Sequence, residues 1–365
     1  MFPLAENHGG FMEIDDLLRT MVEREASDLH IKAGSPPVLR VDGVLQPLDK
    51  HGFLPGDMER FLARLTAESQ REALRRELEL DFAYSLPGVA RFRVNVFFQR
   101  GSLGMAIRTV PLQIASIDDL GLPEACKDLA LRQRGLVLVT GPTGSGKSTT
   151  LAAMVDYLNE QDCRHVVTIE DPVEFLHRDK QCIIAQRELG SDTHSFSAAL
   201  RHALRQDPDV ILVGEMRDLD TIATALTAAE TGHLVLSTLH TTSAAQTMDR
   251  IVDVFPPHQQ QQIRMQLSLV LEGILCQALL PRLGGGRIAA VEVLLVTPAV
   301  RNLIREGKVF QIPTIIQLSG QAGMQTLDQA LAALVRNGLV SPEEAAIRAA
   351  SAEELTKLIG GVGAL

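Results

Sequence analysis

The sequence contains no tryptophan and only four cysteines among 365 residues. The cysteines stand singly at positions 126, 163, 182 and 276, without a C-x-x-C pair. Their spacing indicates neither a zinc cluster nor a disulfide framework. Free thiols in a reducing cytosol fit this pattern best.

The sequence also lacks a long apolar run and an excess of positive charge. Its most apolar helical run, residues 267–280, is interrupted by Glu272 and Gln277, so no membrane span is expected, and no signal peptide is visible. The formal net charge of −10 argues against a surface that neutralises a phosphate backbone, although a local basic lining stays open. A nucleic-acid motor is therefore disfavoured, and we expect a cytoplasmic protein.

The length suits two or three domains, and the first 112 residues have the pattern of an α+β domain. A loose leader of ten residues precedes a helix that carries Ile14 and Leu17. The further predicted elements are an edge strand at 27–32, a hairpin at 38–48 that turns at Asp42-Gly43, a charged helix at 57–79, and strands at 81–85, 89–99 and 103–110. Residues 113–124 are predicted to be a linker.

Residues 125–365 alternate between strand and helix, which indicates a parallel α/β sheet. Four apolar strands are predicted at 136–139, 166–169, 210–213 and 234–236. They are followed by a long amphipathic helix at 258–279, a strand at 288–296 and short C-terminal helices. Because ligands bind beyond the carboxyl ends of such strands, the polar residues that follow them should meet in one place.

The first strand leads into a phosphate-loop pattern, G-x-x-x-x-G-K-[ST]. Its residues are Gly141, Pro142, Thr143, Gly144, Ser145, Gly146, Lys147 and Ser148, followed by Thr149. The loop N–H groups and the helix N-terminus favour a phosphate, Lys147 would reach its β- and γ-phosphates, and Ser148 would ligate Mg²⁺. The alternative is a glycine-rich turn between a strand and a helix that binds no ligand.

Carboxylates follow the next two strands. Glu170, Asp171 and Glu174 could hold Mg²⁺ through water or polarise an attacking water, or they could complement the dipole of a helix that begins at Pro172. The segment 209–215 resembles a Walker B strand in which glycine replaces the usual metal-binding aspartate, which leaves Glu215 as the candidate general base. The alternative for Glu215 is a capping carboxylate.

Histidines and arginines complete the set of candidates. His240 follows the fourth strand and could sense the γ-phosphate, whereas His233 precedes that strand and is more simply a packing residue. Residues 91–108 hold Arg91, Arg93, Arg100 and Arg108 without any acid. They form either a solvated hairpin face or a set of arginine fingers for a neighbouring subunit's triphosphate.

In their order, the segments 141–148, 168–174, 209–215 and 231–240 resemble the Walker A, Asp, Walker B and His boxes of the secretion-superfamily ATPases. The resemblance covers nearly the whole chain, because Ser27-Asp28-Leu29-His30 and residues 88–93 are similar to that family's N-terminal domain. It implies the fold class α/β, with an N-terminal α+β PAS-like domain (1–112) before a RecA-like P-loop ATPase domain (125–365).

The resemblance also implies ATP and Mg²⁺ as cofactors and a homohexamer as the working assembly. Glu174 and Glu215 would be the catalytic carboxylates, His233 and His240 would be needed for motor activity, and Arg93 and Arg108 would be fingers that act in trans. The role of Arg91 and Arg100 stays open.

Within the superfamily, residues 299–306 are similar to the C-terminal signature of the pilus retraction ATPases. They read Ala299-Val300-Arg301-Asn302-Leu303-Ile304-Arg305-Glu306. Assembly and secretion members usually carry an extra N-terminal domain and a four-cysteine zinc module, and we expect neither here. The resemblance thus implies a retraction motor at the inner face of the cytoplasmic membrane, which acts on a membrane platform protein through this signature or the ring pore.

Three alternatives stay open at this stage. The first is an assembly or secretion ATPase of the same fold. The second is a DNA-translocating ATPase, which the negative charge and the absence of tryptophan disfavour. The third is a regulator that closes on ATP without turnover.

Overall fold

The computed structural model describes residues 12–41, 43–110 and 113–360. The chain divides into two compact units, Met1–Leu112 and Gln113–Leu365. The predicted leader and the predicted turn residue Asp42 lie outside the described residues. Within them, no helix is both long enough and apolar enough to cross a membrane.

The first unit is built on an antiparallel sheet with strand order β3-β2-β1-β6-β5-β4. Its elements are α1 (Ile14–Glu23), β1 (Asp28–Lys32), β2 (Val38–Val41), β3 (Val44–Pro47), α2 (Pro55–Leu65), α3 (Glu68–Glu77), β4 (Glu79–Leu86), β5 (Ala90–Gln99) and β6 (Ser102–Val110). The apolar faces of the helices and of the sheet share one core, in which Phe61 and Phe92 are fully buried.

Two predictions for this unit are wrong. Strand β1 is central rather than at an edge, because it pairs with both β2 and β6. The charged helix is two helices: α2 ends at Leu65, where Thr66 turns to an extended conformation and its hydroxyl donates to the carbonyl of Leu62. Leu78, near the end of the predicted helix, is 60% exposed in a left-handed conformation that ends α3.

The second unit holds a seven-stranded sheet with order β13-β12-β7-β11-β10-β8-β9, parallel except for the β12–β13 pair. Its strands are β7 (Gly135–Thr140), β8 (His165–Glu170), β9 (Ile183–Glu188), β10 (Val210–Val213), β11 (Leu234–Leu239), β12 (Leu271–Pro281) and β13 (Arg287–Leu295). Strands β7, β10 and β11 are buried along their whole length, as helices on both faces of a parallel sheet require.

The helices are α4 (Ala125–Ala130), α5 (Lys147–Gln161), α6 (Phe196–Ala203), α7 (Leu219–Glu230), α8 (Ala244–Asp253), α9 (Pro257–Val270), α10 (Pro298–Glu306), α11 (Ile312–Leu318), α12 (Leu327–Arg336), α13 (Pro342–Arg348) and α14 (Ala352–Ile359). In the segment predicted as a linker, Ile117 and Leu122 are buried in the core beside α4 and α5. These residues therefore pack into the second unit.

The predicted helix at 258–279 is wrong over its second half. Helix α9 ends at Val270, and the chain continues as β12, which is inserted between β7 and β13. An apolar run of this kind fits a buried helix or a buried strand equally well, so its periodicity alone does not decide between them. Gly273 allows the strand to pack closely against α4, because a Cβ at this position would lie 2.7 Å from the side chain of Leu129.

Candidate nucleoside-triphosphate site

The predicted phosphate loop connects β7, which ends at Thr140, to α5, which begins at Lys147. Gly141 is required by close packing, because a Cβ there would lie 2.4 Å from the backbone oxygen of Gln277. Gly146, the N-cap of α5, has a φ of 89°, which a residue with a Cβ rarely adopts. The loop thus places the N-terminus of a fifteen-residue helix at the carboxyl edge of the sheet.

Lys147 is buried, and its ammonium group folds back onto the loop. Nζ donates to the carbonyl oxygens of Gly141 at 2.8 Å and Pro142 at 3.0 Å. Burial lowers the pKa of Lys147, while the negative charges of Glu215 and Glu174 oppose that shift. These carboxylates therefore lie within electrostatic reach of the lysine, as the predicted convergence of strand ends requires.

Glu215 follows β10 and is held on both sides. Its Oε1 lies 3.0 Å from Nε2 of His240, and its Oε2 lies 2.7 Å from the guanidinium of Arg217. Burial raises the pKa of Glu215, but the hydrogen bonds and charges of Arg217 and His240 outweigh it, and the pKa lies below its usual value. Nδ1 of His240 is 3.5 Å from Nζ of Lys147, so the imidazole connects the lysine to the carboxylate.

The strand ends are joined by hydroxyl groups from β11. Ser237 and Thr238 each donate at 2.7 Å, to the carbonyls of Val213 and Gly214 respectively. A Cβ on Gly214 would lie only 3.2 Å from the backbone oxygen of Ile169. The close approach of β8 thus favours a small residue at the position where a Walker B strand usually has aspartate.

The three carboxylates after β8 lie in different surroundings. Glu170 turns inward, where Oε1 accepts from Thr168 at 2.6 Å and Gln186 at 3.1 Å, and burial raises its pKa. Asp171 and Glu174 are exposed. No helix begins at Pro172, so the structure contains no helix dipole for these residues to complement.

One predicted residue, His233, lies apart from this group, and two others belong to the first unit. His233 is at the opposite end of β11, where Nδ1 lies 2.9 Å from the carbonyl of Ala228. Arg93 and Arg108 belong to the first unit, where they are directly opposite each other on β5 and β6. Nε of Arg108 donates to Asp28 at 2.9 Å.

Two residues at the site were missed by sequence reasoning. Arg217 lies two positions after Glu215, and the Met-Arg-Asp sequence that carries it gave no recognisable pattern. Gln277 contacts the phosphate loop, but it falls in the segment that was predicted as a helix. Its only sequence signal is a polar side chain within an apolar run.

The described residues 12–41, 43–110 and 113–360 contain no group of three or more His, Cys, Asp or Glu side chains arranged to hold a metal ion. Ser148 lies in the first turn of α5, beside the loop. A single hydroxyl suits a Mg²⁺ ion that takes its other ligands from phosphates and water. The donor set therefore fits a cation that arrives with a nucleotide.

A phosphate loop between a parallel strand and a helix, with a carboxylate and a histidine at neighbouring strand ends, defines a P-loop nucleoside-triphosphatase domain. The chain belongs to the Type II/IV secretion system protein family, whose family model matches residues 10–347.

Several proteins of known name are similar to this chain over most of its length. The chain is 52% identical to the type IV pilus retraction ATPase PilT of Pseudomonas aeruginosa over 334 residues, 92% of this chain and 97% of that protein. It is 48% identical to a twitching motility protein of Neisseria gonorrhoeae, over 93% of this chain and 91% of that protein. A crystal structure of the pilus retraction motor PilT with bound ADP, 46% identical, superposes with a TM-score of 0.89 and covers 95% of this chain and all of that one. The fold is thus an N-terminal domain followed by a RecA-like ATPase domain.

Proposed function

We propose that this protein is an ATP-hydrolysing motor that powers type IV pilus retraction and twitching motility. The observation that carries the proposal is the contact chain from Lys147 through His240 to Glu215 at the end of the phosphate loop. The similarity to a pilus retraction ATPase and a twitching motility protein supports the proposed biological process. The residues of the site support the proposed reaction.

The loop and Lys147 bind the phosphates of ATP, and Ser148 would ligate the Mg²⁺ that accompanies them. When bound, that ion would neutralise phosphate charge. Glu215 accepts a proton from the attacking water, and its ionised state is secured because Arg217 and His240 lower its pKa. Glu174 lies within electrostatic reach of Lys147 and acts with Asp171 at the exposed side of the site.

His240 reports the state of the phosphates. Its two ring nitrogens lie near Lys147 and Glu215, so movement of the ammonium group toward a phosphate changes the surroundings of the imidazole directly. His233 supports motor activity from the other end of the same strand, by anchoring it to the end of α7. Glu170 holds the turn after β8 rather than the nucleotide, because its carboxylate is occupied by Thr168 and Gln186.

The protein works as a homohexamer, in which arginines of one subunit complete the site of the next. Arg93 and Arg108 are exposed and face each other across β5 and β6. Asp28 offsets part of the Arg108 charge, and a further bound anion would relieve the repulsion that remains between the two like charges. A triphosphate of a neighbouring subunit is such an anion, and the arginine fork matches its oxygens.

The C-terminal signature 299–306 connects the motor to its partner. On α10, Asn302, Arg305 and Glu306 are exposed, whereas Val300 and Ile304 are buried. The exposed residues contact an inner-membrane pilus platform protein, which holds the hexamer at the inner face of the cytoplasmic membrane.

The proposal also includes two domains, a PAS-like domain that ends at residue 112 and an ATPase domain that begins after residue 124. The PAS-like domain moves against the ATPase domain during the cycle.

The site is tested by replacing Lys147 with alanine and measuring phosphate release by the purified protein in Mg²⁺ and ATP. We expect turnover to fall to background, because the phosphates lose their cationic partner. Turnover at the wild-type rate would refute the site. Turnover absent from the wild-type hexamer as well would favour a regulator that binds ATP without hydrolysis.

Retraction is tested by deleting the gene and counting pili. We expect excess pili and no twitching, restored by the wild-type gene and not by Glu215→Gln. Cells without pili would favour an assembly or secretion ATPase. Tight, salt-sensitive DNA binding that stimulates turnover would favour a DNA translocase.

A further inference from the structure

Gln277 is a buried polar side chain that points at the phosphate loop. It is 4% exposed, and Nε2 donates to the backbone oxygen of Ser145 at 3.3 Å. Within the described part of the chain, Oε1 of Gln277 and the neighbouring hydroxyl of Ser145 have no hydrogen-bond partner. A buried amide that keeps one group unpaired costs free energy, so its position beside the loop calls for a role.

The backbone of β12 approaches the loop as closely as this side chain does. Cys276 pairs with Thr140, the last residue before the loop, and the oxygen of Gln277 fills the space where a Cβ of Gly141 would lie. The hydroxyl of Thr140 also donates to Sγ of Cys276 at 3.0 Å. The carboxyl-terminal half of β12 therefore packs directly against the phosphate loop.

The start of the same strand contains a bulge. Strand β12 pairs in parallel with β7, but the register shifts between Leu271 and Gly273, which leaves Glu272 as the extra residue. The Glu272 side chain packs on Gly135, where a Cβ would lie 2.5 Å from its Cγ. Because side chains alternate between the two faces of a strand, this single extra residue decides which face Gln277 occupies.

Arg301 of the C-terminal signature holds this bulge. Its guanidinium donates to Oε1 of Glu272 at 2.8 Å and to the carbonyl oxygens of Ser268 at 2.8 Å and Leu269 at 2.7 Å. It thereby fixes the junction at which α9 becomes β12. Unlike its exposed neighbours on α10, Arg301 is directed into its own unit.

We propose that Gln277 is a positioning residue that keeps the phosphate loop in its nucleotide-binding conformation, and that Arg301 supports this contact by fixing the Glu272 bulge. The proposal rests on the proposed function, since it takes the loop to bind a nucleotide. Gln277 acts on the loop backbone and touches no reacting atom. It therefore stabilises the substrate and the transition state equally, which affects KM and not kcat.

The first test is Gln277→Met, which keeps an unbranched side chain of similar length and removes the amide. We expect the Kd for Mg-ADP and the KM for ATP to rise together by about fivefold, the effect of one neutral hydrogen bond, with kcat unchanged. A merely structural role would lower the active fraction, and so kcat, at an unchanged KM. If Gln277→Met does not fold, Gln277→Leu is measured instead, because it also removes the donor to Ser145 without placing a charge beside the loop.

The second test is a double-mutant cycle with Arg301→Ala. We expect about a threefold rise in Kd for the single variant and no further rise when it is added to Gln277→Met, because both changes act through one contact. The matched control is Arg348→Ala: Arg348 is as exposed as Arg301 and also bonds a glutamate and a carbonyl, but it lies on α13. We expect this control to bind like the wild type.

Each outcome has a distinct meaning. Wild-type affinity and KM in Gln277→Met would overturn the proposal. Multiplying effects in the double variant, or an equal effect of Arg348→Ala, would overturn the role of Arg301. A wild-type protein that binds Mg-ADP no better than Lys147→Ala would instead refute the proposed function.

Discussion

The ends of the neighbouring strands β8 and β10 carry two glutamates in opposite electrostatic surroundings. Glu215, after β10, is paired with Arg217 and His240, and its pKa is lowered. Glu170, at the end of β8, is half-buried beside the neutral donors Thr168 and Gln186, and burial raises its pKa. The two strands are adjacent in the sheet, so the difference comes from side-chain partners rather than from location.

This comparison separates the two carboxylates by role. A general base must be ionised and reach a water molecule, which suits Glu215, whose pKa lies below its usual value. A carboxyl group whose oxygen already accepts from two neutral donors, and whose pKa burial raises, suits a fixed hydrogen-bonded turn, as at Glu170. Sequence order alone ranked both residues as catalytic candidates, and their surroundings distinguish them.

The largest expected effect is that of Glu215→Gln. The amide cannot accept a proton from water, so we expect kcat to fall by at least about a hundredfold, while the Kd for Mg-ADP stays near the wild-type value. Phosphate release under saturating ATP measures the first quantity and calorimetry the second. Glu170→Gln in the same assay is the matched control, and an equal loss in both variants would erase the distinction between the two glutamates.

A smaller effect is expected for Arg217→Ala, which removes one of the two side chains that hold Glu215. We expect kcat to fall by about tenfold, because the carboxylate loses a charge-assisted hydrogen bond that orients it. The pKa of Glu215 rises when Arg217 is absent, so the acid limb of the kcat profile should move to higher pH. His240 and Lys147 still face the carboxylate, which keeps the shift incomplete.

Arg217→Lys is the control for this prediction, since it restores the charge without the planar fork. We expect Arg217→Lys to bring the acid limb of the kcat profile most of the way back to its wild-type pH. We also expect it to restore part of kcat. An acid limb that is identical in wild type and Arg217→Ala would show that the ion pair does not tune Glu215.

Local signals explain what the sequence could predict. The phosphate loop is contiguous, and its glycines, lysine and serine are defined by spacing alone. The strands that end near Glu170, Glu215 and His240 are short apolar runs, and the rule that parallel strands end at one edge brought them together. These features need no knowledge of distant partners.

Non-local pairing explains what the sequence could not predict. Residues 271–279 form a strand because they pair with β7 on one side and with β13 on the other. The periodicity of the segment itself carries no information about those neighbours. The same holds for β1, which looked like an edge strand and is paired on both sides. Gln277 was missed for this reason, since its contact with Ser145 joins residues 132 positions apart.

The smallest expected effect is that of Glu170→Gln on activity, because the amide oxygen can still accept from Thr168 and Gln186. We expect kcat within about twofold of the wild type, since the residue orients a turn and not a water molecule.

Stability gives a finer comparison, because the two glutamates should respond to pH with opposite signs. The folded pKa of Glu170 lies above its unfolded value, so its contribution is full below about pH 4 and is lost as pH rises through the folded pKa. The folded pKa of Glu215 is depressed, so its contribution is present above about pH 4 and is lost as pH falls. From pH 3 to pH 8, the Tm of Glu170→Gln relative to the wild type should therefore increase, with the change above about pH 4. That of Glu215→Gln should decrease as pH rises, with the change confined to the region below about pH 4. Thermal melts across this range measure both trends, and parallel trends would show that the two carboxylates share one electrostatic environment.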